Sequence, residues 1–313
     1  MRLALSFTLL SLSVAACGGG DSKTPDAAMA KDVGFNKPAK GVAANMQTNG
    51  TWMEIGPADL SCLNTPSADM ATTVAVSLHV NVADFQSGNA VPNATVTAFP
   101  DVNVTAPFDT QTSDTNAHAT FTVPVGTKRF GFKMTTSDMS TMPTFLLNQT
   151  VEPSVASQPA DSACSTPPCY SKIQSVSAST AATLPALIGE TRNTGTGVIA
   201  GAFRDCMHHE MSNFVATVSS TKGTATPITG AEAYYFSDAV DLPVHHQQQD
   251  AASKDALFMV IQLPATASAY VQMWGYKTDA DATAGGEMTL LAELPVPVLA
   301  DTVITGSYEP LRQ

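Results

Sequence analysis

The chain has 313 residues, a formal net charge of −12 and only 13% charged residues, against about a quarter in an average soluble domain. No Lys/Arg-rich stripe interrupts this acidic background, so no nucleic acid partner is expected, nor an anionic membrane surface held by charge. Low charge with many Thr, Ser, Ala and Val residues suits an exported β-protein.

The first stretch is a targeting segment. Arg2 is its only charge, and Leu3 to Val14 is an apolar run too short for a permanent bilayer span but suited to a secretory signal. It ends in Val14-Ala15-Ala16-Cys17, which resembles the lipobox of bacterial lipoproteins. The resemblance implies a signal peptide over 1–16, cleavage before Cys17 and lipid attachment to the Cys17 sulfur. Gly18 in place of Asp implies sorting to the outer membrane. The several acyl chains of such a cysteine anchor a protein firmly. The competing reading is an ordinary signal peptide with an incidental cysteine. Loss of Arg2 takes the net charge from −12 to −13. Residues 17–50, rich in Gly, Ala, Lys, Asp and Asn, bury too little apolar surface to order themselves and read as a flexible tether. Residues 51–70, opening on Trp52, Met53 and Ile55, form a lead-in.

From Val74 the pattern changes. Val74, Val76, Leu78, Val80 and Val82 alternate with polar residues, placing one strand face in a core and the other in water. The run ends at Asp84-Phe85-Gln86-Ser87-Gly88-Asn89, a turn composition. Strands are predicted over Val91 to Phe99, at Ala119, Phe121 and Val123, and at Phe130, Phe132 and Met134, with turns at Asp114-Thr115-Asn116 and Pro124-Val125-Gly126. This is the layout of half an antiparallel β-sandwich.

The order Asp84…Gly88…Val91-Pro92-Asn93-Ala94-Thr95-Val96, then Thr110…Asp114…Ala119-Thr120-Phe121-Thr122-Val123-Pro124-Val125-Gly126, resembles the carboxypeptidase regulatory-like (prealbumin-like) module. Asn116-Ala117-His118 departs from the family pattern, which has a Gly before the aromatic strand. The resemblance implies a prealbumin-like or Ig-like β-sandwich over 71–151.

Residues 152–195 read as a linker, its first part rich in Pro, Ser and Ala. Within it Ile173, Val176, Ala181, Leu184 and Leu187 fall at spacings suited to a short helix. Residues 196–310 repeat the plan of the first module. Gly197 to Cys206 matches its opening strand, Phe214 to Val218 and Ala231 to Phe236 follow, and Leu257 to Pro264 matches the strand ending at Pro124. Tyr270, Gln272, Trp274 and Tyr276 alternate with Val271 and Met273, and further strands are expected at Met288 to Leu294 and Thr302 to Ser307. The aromatics at period two read as the core face of their strand, with sugar stacking as the rival reading. The second segment thus resembles the same family, without its first-turn Gly. The expected fold is all-β: two antiparallel sandwiches joined by a linker with a short helix.

With Cys17 used for lipid, Cys62, Cys164, Cys169 and Cys206 remain, an even number for an oxidising compartment. Three pairings are open. One closes the short Cys164–Cys169 loop and leaves Cys62 with Cys206. A zinc site is the alternative, but no Cys-x-x-Cys pair is present.

Chemistry-bearing groups are few. His208-His209-Glu210 and His245-His246, with Asp205, Asp238, Asp241 and Asp250 nearby, have the donor types of a Zn or Fe site. Neighbours on a strand diverge, so His208, His209, His245 and His246 hold a metal only if loops bring them together. The plainer reading is polar turn residues in water. Tyr234, Tyr235, His245 and His246 are similar in composition to the iron site of intradiol dioxygenases, but the adjacent tyrosines would diverge. Asp101, Asp109, Asp114 and Asp138 read as solvated loop carboxylates. No Gly-x-Ser-x-Gly elbow, phosphate-binding loop or His-Glu-x-x-His motif occurs. The expected function is therefore non-enzymatic and cofactor-free: an outer-membrane lipoprotein whose partners are the membrane, through its anchor, and polysaccharide or another envelope protein. A His-based metal enzyme in the second module is the alternative.

Overall fold

The computed structural model describes residues 37–151, 153–154, 156–159, 171–245 and 248–312. The expectations for the signal peptide, Cys17 and most of the tether, and those for Cys164, Cys169 and His246, lie outside the described residues. Asn36–Gln313 forms one compact unit.

In chain order, β1 (Ala43–Thr48) and β2 (Thr51–Pro57) form a hairpin. Then come β3 (Val76–Asp84), β4 (Thr95–Pro100), β5 (Asp109–Thr112), β6 (His118–Val123) and β7 (Arg129–Thr135). After these lie β8 (Thr141–Met142), β9 (Thr144–Thr150), β10 (Ser157–Pro159), β11 (Ser171–Ser177) and α1 (Ala178–Leu187). The second half contains β12 (Thr196–Phe203), β13 (Glu210–Ser212), β14 (Val215–Ser219), β15 (Glu232–Ser237) and β16 (Leu242–Pro243). It closes with β17 (Leu257–Pro264), β18 (Thr266–Gly275), α2 (Asp279–Ala284), β19 (Thr289–Val298) and β20 (Val303–Tyr308).

The fold is all-β in class and sandwich-like in packing, but one sheet runs through both expected modules. Its order is β16-β15-β17-β12-β20-β9-β7-β4-β5. The join is made by β20, which runs parallel to β12 on one side and to β9 on the other, with Val303 opposite both Val198 and Thr144. Beside the expected antiparallel pairs, the fold thus contains a mixed sheet that both halves share. Sequence could not show this, because β20 and β9 are far apart in the chain and pair only when the C-terminus returns.

Two smaller sheets cover the long one. In β9, Phe145 and Leu147 join one core while Leu146 packs against another, so the two cores lie on opposite faces. One core is formed with β3 and β6, through Val76, Leu78, Val80, Phe121 and Val123 against Val96, Phe130, Phe132 and Met134. The other is formed with β14, β18 and β19, where Val218, Val271 and Met273 meet Ile199, Phe203 and Phe258. Residues 152–195 are correspondingly less of a linker than their composition implied. β11 pairs parallel with β3, Ile173 facing Val82. Ile173 and Val176, placed in a helix by spacing, belong to this strand. The helix begins afterwards, where the Ser177 hydroxyl accepts from the Thr180 N–H at 3.0 Å and caps it.

Two further expectations are corrected. The end of the tether and the lead-in are ordered, since β1 pairs with β13 and buries Val42, Ala43 and Ala44. Main-chain pairing stabilises a stretch whose side chains alone would not order it. On β18 both faces are largely inward. Val271, Met273 and Gln272 are fully buried, while Tyr270 and Trp274 are only partly buried. A register shift between Met273 and Trp274 then returns Tyr276 to the interior.

Candidate binding site

The histidine-rich turn after β12 is organised by a carboxylate. Asp205, 1% exposed, accepts from the backbone N–H of Met207 and His209 through Oδ1, each at 2.9 Å. Its Oδ2 accepts from the Asp59 N–H at 3.1 Å and faces His209 Nδ1 at 3.4 Å. His208 takes a left-handed φ of 66° to close the turn. Glu210 is paired to Arg204, its Oε1 3.1 Å from Nε and 3.0 Å from Nη2. The same turn is tied to the lead-in by a Cys62–Cys206 disulfide with a Cα–Cα distance of 5.7 Å. His245 lies in a different loop, beyond β16, where its carbonyl accepts from the Gln248 and Gln249 N–H groups. Among the described residues, no three His, Cys, Asp or Glu side chains are grouped to hold a metal ion. Tyr234 and Tyr235 point into different cores, as neighbours on a strand must.

Asp114 and Asp138 serve their own turns, whereas Asp109, in β5, reaches across to β6. Asp114 Oδ1 accepts from the Asn116 and His118 N–H groups at 2.8 and 2.9 Å, and Asp138 Oδ1 from the Ser140 N–H at 3.0 Å. Asp109 Oδ2 accepts from the Thr122 N–H at 3.0 Å. Between the turn after β3 and the start of α1 lies a polar cleft of about 710 Å³, its walls including Asp84, Ser87, Asp138, Ser140 and Thr180.

A second hollow differs in kind. On the long-sheet face carrying the β3–β6 core, the second half is covered by α1 rather than by a sheet, and the cover is incomplete. A cavity of about 370 Å³ remains, within the size range of small-molecule pockets. Its floor follows from the alternation of β12, which turns Val198, Ala200 and Ala202 toward the cavity and Ile199 and Phe203 into the opposite core. Two alanines where other strands carry Val, Leu or Met leave depth. Gly201 between them is required: an added Cβ would collide with the Gly306 carbonyl oxygen and lie 2.7 Å from the Tyr308 ring. Met259 and Ile261 of β17 form one wall, and Leu184 and Pro185 of α1 form the roof, with Trp52 of β2 also contributing.

One end of the cavity is charged. The Arg204–Glu210 pair lines it, and so does Asp255, from the turn before β17. Asp255 is only 2% exposed. Its Oδ1 accepts from the Leu257 N–H at 3.0 Å, but its buried Oδ2 has no hydrogen-bond partner among the described residues. Burial pushes this carboxyl up to about 7, against the Leu257 hydrogen bond and with the charges of Asp238 and Asp241 adding to the rise. Sequence reasoning passed over Asp255, because Ser253-Lys254-Asp255 reads as an ordinary polar turn and nothing local marks it as buried.

No family model matches the sequence, and no curated protein matches it. Solved structures that match this chain include a double mutant of the shaft pilin SpaA from Lactobacillus rhamnosus GG, 8% identical, with a TM-score of 0.24 over 76% of this chain and 98% of that one. The unmutated shaft pilin gives 9% identity and a TM-score of 0.21 over 77% and 98% of the two chains. The Bacillus anthracis TIE protein is 11% identical, with a TM-score of 0.23 over 87% of this chain and 42% of its own length. Likenesses this distant identify no relative.

Proposed function

We propose that this chain is a non-enzymatic binding protein, tethered by lipid on Cys17 to a bacterial outer membrane, that holds a small, largely apolar molecule. The cavity of about 370 Å³ under α1 carries the reading. It has mostly apolar walls, with Gln174 and Thr305 among them, and a charged cluster of Arg204, Glu210 and Asp255 at one end, a layout by which pockets combine affinity with orientation. The Leu3 to Val14 run and Val14-Ala15-Ala16-Cys17 support export and anchoring, and the Cys62–Cys206 pairing suits an oxidising compartment. The resemblance to prealbumin-like modules, which usually accompany catalysis rather than perform it, favours binding over reaction. Contacts with polysaccharide or another envelope protein fall to the polar cleft, whose hydroxyls and carboxylates suit a hydrated partner.

Two readouts on the mature protein extracted from membranes test this. Mass spectrometry should find a chain beginning at an acylated Cys17, and titration with the apolar dye Nile red should show saturable binding. An unmodified Cys17 would remove the anchor. Failure to bind the dye, or any small apolar competitor, would remove the binding role.

A further inference from the structure

The polar end of the cavity narrows the class of ligand, given the reading of that cavity as a binding site. We propose that the ligand is an apolar molecule ending in a primary ammonium group, which donates to Oδ2 of Asp255.

The inference rests on the hydrogen-bond inventory of the cavity end. A buried carboxylate oxygen without a partner costs free energy, and native proteins leave few such atoms. Here the orphan atom has almost no accessible surface of its own, but it belongs to a residue 2% exposed that lines the cavity. An occupant that places a donor at the carboxyl, once it turns toward the cavity, recovers the lost bond.

Charge selects among donors. Arg204 is the cation of the cavity wall, and it is committed to Glu210 at 3.0 Å. Asp238, one of the two carboxylates acting on Asp255, is paired to Lys254 at 3.0 Å. Asp241, the other, adds further negative charge. Glu210 offsets Arg204 at the cavity wall, and Asp238 and Asp241 both act on Asp255 as negative charges, so the cavity end is negative once Asp255 is ionised. A carboxylate or phosphate ligand would be repelled. A hydroxyl would satisfy the oxygen with one neutral bond. An ammonium brings three donors and a charge-assisted bond, about twice as strong as a neutral one.

Calorimetric titration of the folded protein at pH 8 with n-octylamine, n-octanol and n-octanoate, equal in chain length, tests the assignment. Octylamine is expected to bind about 10-fold or more tighter than octanol, the ratio that a strengthened bond of roughly 1.4 kcal/mol supplies. Octanoate should be weakest. In Asp255→Asn, which keeps the size of the side chain and an oxygen for the Leu257 N–H, the preference for amine over alcohol should vanish. Equal affinity for amine and alcohol in the native protein would overturn the ammonium assignment and leave the binding role standing. An amine preference that survives in Asp255→Asn would do the same. If none of the three binds and none displaces Nile red, the binding role itself fails and this inference falls with it.

Discussion

Asp69 and Arg129, 60 residues apart in the chain, meet with Oδ2 2.6 Å from Nε. The guanidinium also donates to Glu309 at 3.1 Å and to the Asn148 carbonyl at 3.1 Å, so one side chain fastens the lead-in, β7, β9 and the C-terminus together. Burial would raise the Asp69 carboxyl, but hydrogen bonding and charge from Arg129 outweigh it and hold it below its usual value. The stability this contributes is present above the unfolded carboxylate range and is lost as pH falls through the lowered value. Arg129→Met should cost about 2 kcal/mol at pH 7, because it strands two partly buried carboxylates, and should lose less stability than the native protein between pH 7 and pH 3. Urea denaturation at pH 7 and pH 3 measures both; equal stability of variant and native protein at pH 7 would show the cluster to be idle.

The Cys62–Cys206 bridge spans 144 residues and joins the lead-in to the turn that Asp205 organises. Constraining so long a loop in the unfolded chain stabilises by roughly 2–4 kcal/mol. The double Cys62→Ser, Cys206→Ser variant is expected to melt well below the native protein, and reductant should lower the native melting temperature toward it. A variant insensitive to the loss would mean that the lead-in is held by β1 pairing alone.

Asp255 predicts the opposite pH sense from Asp69. Its folded carboxyl, pushed up to about 7, keeps a proton that the unfolded chain releases above about pH 4. Stability from this group is therefore full below the unfolded value, falls as pH rises toward 7, and stays low above it. Asp255→Asn should remove that slope and be more stable than the native protein at pH 8 by about 2 kcal/mol. Denaturation curves at pH 5 and pH 8 check it, and a variant less stable than native at pH 8 contradicts the burial argument.

The histidines make a negative prediction. His209 faces the Asp205 carboxylate at 3.4 Å and His245 belongs to a separate loop. Purified protein is expected to carry far less than one equivalent of Zn or Fe, unchanged in His208→Ala and His245→Ala. Stoichiometric metal lost in both variants would restore the metal-enzyme reading.

The alternation of β3 and β6 is legible in the sequence because one face of each strand is the more exposed. β7 breaks the alternation at the buried Gly131, and β17 is buried on both faces, so Leu257 to Pro264 shows as a strand through its short apolar run rather than through alternation. β9 was missed for the converse reason. As a central strand it buries Phe145, Leu146 and Leu147 on two faces or partly so, and no alternation remains to be read. β11 was misread because Ile173 and Val176 stand three apart, a spacing that suits a helix as well as a strand interrupted by Ser175, itself fully buried.

By itself the sequence determined the strand class, the net acidity, the absence of the common catalytic motifs and the existence of a short helix within 152–195, though not where it begins. These follow from residue types and from neighbours a few positions apart, where periodicity and capping act. Only the tertiary structure decided that the two halves share one sheet through β20, that Cys62 meets Cys206, and that Ala200, Ala202 and Asp255 surround one cavity. Each of these joins residues distant in the chain. Their proximity arises when long-range strand pairing repays the entropy of closing large loops, a balance that no local pattern records.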